Sequence, residues 1–133
     1  MLLRLILSII SEDNYYKDLP DFKITFYNCS DDRIKILDMF DPVPVFFSFH
    51  IINENGTILN IPQAGKLELS PIPLGYKVLN PNQYWSIEIN LRGWIQDFLF
   101  PGLYHVTVHY HNQYGEDCYH GTLLSNEIKI KII

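Results

Sequence analysis

Four of the chain's five histidines and one of its two cysteines fall between residues 104 and 121, in YHVTVHYHNQYGEDCYHG. The segment alternates. If Tyr104, Val106, Val108 and Tyr110 face inward, then His105, Thr107, His109 and His111 project together from the opposite face of a strand. Neighbours along such a face stand about 7 Å apart, close enough for two imidazoles to share a metal. Imidazole suits zinc, copper or nickel, which makes His105, His109 and His111 the metal candidates, with His50 and His120 as further ligands if their strands lie alongside. The competing reading is a solvated sheet face. Structural zinc takes four ligands and catalytic zinc three plus water, and no Asp or Glu sits at a helpful spacing on this strand. The expectation is therefore a polar outer face with no cofactor, and one that responds to pH because histidine changes charge near neutrality.

Other chemistry has less to stand on. Cys118 and His120 are two apart, so on a strand they would share a face as a thiol and a base. They lie in a Gly-flanked loop with no third group nearby to orient the imidazole. The sequence contains no G-x-S-x-G, phosphate-binding glycine loop, C-x-x-C or H-E-x-x-H. The carboxylates of SEDN (11–14) and SDD (30–32) read as solvated turns.

The elements that must carry these residues are strands almost throughout. In DFKITFYN (21–28), Phe22, Ile24 and Phe26 take one face and Lys23 and Thr25 the other. IKIL (34–37) is a short strand, and VFFSFHII (45–52) starts after Pro42 and Pro44, which suit a strand beginning or an edge. NENGT (53–57) signals a hairpin through Asn-Gly, which tolerates the positive φ such turns need, and ILNI returns from it. Between 62 and 82 four prolines and two glycines leave room only for short strands near Lys66–Leu69 and Tyr76–Leu79. YWSIEINL (84–91) sets Trp85, Ile87, Ile89 and Leu91 inward, RGWIQDFLF (92–100) suits a single helical turn closing one end, and NEIKIKII (126–133) completes the set. The opening MLLRLILSII lacks a small-residue cleavage site and is too short to span a bilayer. Its alternating Leu3, Leu5, Leu7 and Ile9 read as a first strand.

In FPGLYHVTV, a Pro-Gly turn precedes Tyr104 and then an alternating strand, the pattern of a tyrosine corner, whose buried hydroxyl bonds back to the preceding connection. A net charge of −5 speaks against binding a nucleic-acid backbone, which needs a concentrated basic surface. Cys29 and Cys118, far apart in a chain without an export signal, read as free thiols. Asn28-Cys29-Ser30 and Asn55-Gly56-Thr57 fit the glycosylation pattern and read equally as turns.

FKITFYNCSDDRIKI, FSFHIINENGTIL, LNPNQYWSIEINL and PGLYHVTVHY, in that order from residue 22 to 111, resemble the bacterial intracellular proteinase inhibitor family and related immunoglobulin-like modules. In that family a strand ends in Asn-x-Ser and a hairpin carries a Gly turn. Leu-x-Pro-Gly then precedes an alternating strand, and Pro-Gly-x-Tyr comes later. This chain has Pro81-Asn82 where the family usually has Pro-Gly. The resemblance implies an immunoglobulin-like sandwich. Its motifs specify turns and corners, so no inhibitory residue carries over.

The sequence thus predicts one domain over 1–133, all-β, a two-sheet immunoglobulin-like β-sandwich of eight or nine short antiparallel strands. The expected role is a non-enzymatic binding or accessory module that meets another protein. The alternatives are a proteinase inhibitor and a carbohydrate- or metal-binding module. A partner is expected on the Pro-rich stretch 62–82 and the loop 92–100, where fixed φ angles lower the ordering cost and Trp94 and Tyr76 supply aromatic anchors. Neither a nucleic-acid partner nor a membrane span is expected, and the expected location is cytoplasmic, with secretion as the alternative.

Overall fold

The computed structural model describes residues 3–10, 15–38, 40, 46–59, 75–92 and 100–133. In chain order the strands are β1 (Leu3–Ile9), β2 (Phe22–Asn28), β3 (Ile34–Leu37), β4 (Phe47–Asn53) and β5 (Ile58–Leu59). They are followed by β6 (Tyr76–Leu79), β7 (Tyr84–Ile89), β8 (Gly102–Asn112), β9 (Gly121–Leu124) and β10 (Ile128–Ile132). No helix joins these strands among the described residues. The expected strand near 66–69 and most of the expected helical turn at 92–100 lie outside the described residues.

The strands form several antiparallel sheets. One runs β1-β2-β7, a second runs β10-β8-β4-β5 with β9 also on β8, and β3 and β6 pair separately. The first two face each other across the core. Phe22 of β2 meets Phe49 of β4 at 5.5 Å between ring centroids, and Phe26 meets Tyr110 of β8 edge-on at 5.1 Å. Alternation decides which side chains take part. Leu3, Leu5, Leu7, Phe22, Ile24 and Phe26 are buried from one side, and Phe47, Phe49, Ile51, Val106 and Val108 from the other. Burying aromatic and branched side chains of this size contributes about 1.5–3 kcal/mol each. Trp85, Ile87, Ile89 and Leu91 turn inward as the period demands, with Ser86, Glu88 and Asn90 outside.

Three joints hold the layers in register. At the first, the Tyr104 ring is buried and its hydroxyl donates to the Phe100 carbonyl at 2.7 Å, the corner expected from Pro101-Gly102. At the second, the fully buried Asn28 ends β2: its Nδ2 donates to the carbonyls of Asp32 and Leu79, and its Oδ1 accepts from the Ser30 N–H and hydroxyl. That one amide ties β2 to the β3–β6 pair. Beside it Asn82 adopts φ +65°, a conformation asparagine tolerates better than most residues.

The third joint is a bulge. β8 pairs one edge with both β9 and β10, with His109 opposite Leu124 and Val106 opposite Ile128. Residues 125–127 therefore face only Thr107 and Val108, an extra residue that breaks the ladder. Ser125 repairs it: its N–H donates to the Val108 carbonyl at 2.9 Å, and its hydroxyl accepts from the Val108 N–H at 2.9 Å. The bulge swings Asn126 across to β1, where its side-chain Oδ1 accepts from the Leu7 N–H at 2.8 Å and its Nδ2 donates to the Leu7 carbonyl at 3.0 Å.

Candidate functional site

His105, His109 and His111 do project outward from β8 between inward Tyr104, Val106, Val108 and Tyr110. Their rings part company there. His105 Nδ1 lies 2.7 Å from Glu127 Oε1, and His111 Nδ1 lies 3.1 Å from Thr122 Oγ1. His109 instead meets His50 of neighbouring β4, with ring centroids 5.0 Å apart and planes crossing at 73°. The fifth, His120, sets Nε2 against the carbonyls of Tyr114 and Gly115. No group of three or more His, Cys, Asp or Glu side chains that could hold a metal occurs among the described residues.

The Cys118–His120 pair is similarly divided. Its thiol donates to the Tyr114 carbonyl at 3.3 Å. Desolvation pushes the Cys118 thiol up from its ordinary range, the opposite of what a nucleophilic thiolate needs.

Beside His109, the facing edges of β1 and β9 leave an open groove of about 670 Å³, within the usual range of ligand clefts, about 300–1,000 Å³. Its walls include Arg4, Leu5 and Ile6 from β1, and Thr122 and Leu124 from β9, with His109 at one margin. Asn126, bound to Leu7, closes one end. Leu124 is 61 % exposed, a large apolar side chain left in water beside half-buried Ile6. Among the described residues of the lining, Arg4 brings a positive charge and no carboxylate accompanies it.

Strand alternation says what the walls offer. Because the N–H and C=O of Leu7 point away from β2 to Asn126, those of Leu5 and Leu3 point the same way. Across the groove the Ser125 N–H bonds β8, so the N–H and C=O groups of Leu124 and Thr122 turn from β8 toward β1. Two strand edges thus present backbone donors and acceptors to one groove.

Arg4 also belongs to a second feature. Register places it opposite Tyr27, and Tyr27 opposite Tyr84, on the outer face of the β1-β2-β7 sheet. The two tyrosines stack at 4.2 Å with planes 22° apart, and the Tyr27 hydroxyl donates to Asn82 Oδ1 at 3.2 Å. Tyr84 is 62 % exposed.

Of the two expected anchors, Trp94 lies outside the described residues. Tyr76 is half-buried, with the Lys35 ammonium 4.2 Å from its ring centre and its hydroxyl accepting from the Glu116 N–H at 3.4 Å. It serves as a packing piece between β3, β6 and the 113–120 loop. The groove itself escaped sequence reasoning because it exists only once β1 and β9 are placed side by side. The one available signal was a phase jump, from inward Leu123 to inward Ile128, Ile130 and Ile132. No protein-family model matches this chain, and a search of curated proteins finds no match either.

Proposed function

We propose that the chain is a non-catalytic binding module of immunoglobulin-like sandwich architecture that engages a protein partner through the groove between β1 and β9. The observation that carries this reading is the groove: about 670 Å³ of open space with exposed Leu124 on its wall, a positive Arg4 and no acid among its described lining residues. A cleft of this size lined by apolar side chains with a few polar groups is the first place to look for a bound partner. The sheet orders β1-β2-β7 and β10-β8-β4-β5, with a tyrosine corner leading into β8, support the immunoglobulin-like assignment. Carbohydrate fits less well. The Tyr27–Tyr84 stack offers a sugar one free ring face rather than a flat aromatic row.

Affinity capture from the source cells, run with wild type, Leu124→Lys and Trp94→Ala, tests the reading. A partner held by wild type and Trp94→Ala but released by Leu124→Lys supports the groove. A partner held by folded Leu124→Lys and released by Trp94→Ala assigns the surface to the loops at 62–82 and 92–100 instead.

A further inference from the structure

We infer that two copies of this chain join edge to edge through β7, antiparallel about a two-fold axis at Ser86. The two β1-β2-β7 sheets then continue into one. This edge lies across the sheet from the groove, so it stands or falls apart from the groove. The first ground is the backbone. Of the described strands, β2 alone runs beside β7. The Asn28 N–H donates to the Gln83 carbonyl at 3.1 Å, which sets the phase of that ladder. Trp85, Ile87 and Ile89 therefore exchange bonds with Phe26, Ile24 and Phe22. The N–H and C=O groups of Tyr84, Ser86 and Glu88 point the other way, where no described strand receives them. Natural edges are blunted by proline, bulges or inward-pointing charges, and Tyr84–Ile89 carries none of these.

The second ground is incomplete cover. Trp85 and Ile87 point toward the core yet stay half-buried, whereas Phe26 and Ile24 opposite them on β2 are fully buried. A strand laid along the outer edge covers what they still expose. The third is self-complementarity. With Ser86 opposite Ser86 of the second copy, Tyr84 falls opposite Glu88, and each outward main-chain group finds a counterpart. On the inward face the same register sets Trp85 against Ile87, an aromatic and a branched side chain of the kind that stabilises paired strands. The Ser86 hydroxyl, 2.7 Å from Thr25 Oγ1, brings no charge to the axis. Moving the axis by a residue runs one outward group off the end of the strand. Centring it on Glu88 sets two carboxylates face to face, which is destabilising.

Sedimentation of the full chain from micromolar to millimolar concentration tests this, with Ser86→Pro, Ser86→Lys and Leu124→Lys beside wild type. Proline deletes an N–H that points off the edge, a place where strands accept it, and leaves the ladder to β2 intact. Lysine sets two ammonium groups face to face across the axis. Wild type and Leu124→Lys are expected to dimerise. Each Ser86 variant should raise the dissociation constant by roughly tenfold or more, the cost of about one bond. In wild type the Tyr84, Ser86 and Glu88 amides should exchange more slowly as concentration rises. Those of Trp85 and Ile87, already bonded to β2, should keep one rate throughout. A contact through another surface would not produce that alternation. A wild-type chain that stays monomeric at millimolar concentration overturns the inference. So does a dimer whose Ser86 amide exchanges at the monomer's rate, or one that survives unchanged in both folded Ser86 variants.

Discussion

Asn28 spends every hydrogen-bonding valence of its side chain inside the protein, two as donor and two as acceptor. Asn28→Asp keeps the shape, removes both donors and brings a carboxylate against two carbonyls. It should destabilise the domain by about 2–4 kcal/mol, from two lost bonds and the uncompensated polar groups left behind, and urea denaturation measures this. The same geometry leaves no free amide at Asn28 for a glycan, whereas Asn55 is exposed at the β4–β5 turn. Tyr104→Phe loses the bond to Phe100 and should cost about 1–2 kcal/mol, readable in the same assay; an unchanged midpoint would remove the corner from the list of structural joints. Tyr104 was legible because a Pro-Gly turn before an alternating strand leaves few ways to close the corner. Asn126 was not. Its partner Leu7 lies 119 residues away, and nothing local to SNE (125–127) tells a cross-sheet amide from an ordinary turn residue.

At the scale of elements, strand phase was legible and strand neighbours were not. The period fixes His105, His109 and His111 on one face of β8, but β4, β9 and β10 decide what each imidazole meets. Glu127 takes His105, Thr122 takes His111, and His50 comes beside His109. Two neighbouring imidazoles fall short of the three or four protein ligands a zinc site takes. Micromolar zinc is therefore expected to leave the Tm unchanged, since only a ligand that prefers the folded state raises it. A stoichiometric complex that His109→Ala abolishes would show the reverse. The joint between β1 and the bulge gives a second test. Asn126→Ala should lower stability by about 1–2 kcal/mol and speed exchange at the Leu7 amide, while amides of β2 and β7 keep their protection.

For the molecule as a whole, the all-β architecture followed from alternation alone, because few segments support any other period. Which sheet each strand joins depends on pairings such as β1-β2-β7, made between residues far apart in the chain. The two thiols report on the finished fold. Cys29 is exposed, whereas Cys118 is half-buried with its thiol pushed up by desolvation. A thiol reagent should titrate one cysteine rapidly in native protein and the second only after denaturation. Equal rates would place Cys118 in solvent. The bulge at 125–127 carries a further consequence, one about inheritance rather than energy. Along this edge the chain is read in two frames, odd residues inward before the bulge at Leu123 and even residues inward after it at Ile128, Ile130 and Ile132. Removing one residue of 125–127 would merge the frames into a single alternation in which Leu123 stays opposite Tyr110 and Ile128 opposite Val106, both inward, so the ladder would close without the bulge. The shift of frame thus serves the cross-sheet amide rather than the core: a one-codon deletion here should leave both strands facing as they do and forfeit the Asn126–Leu7 bridge, so variation in this segment can take the form of loss as well as replacement.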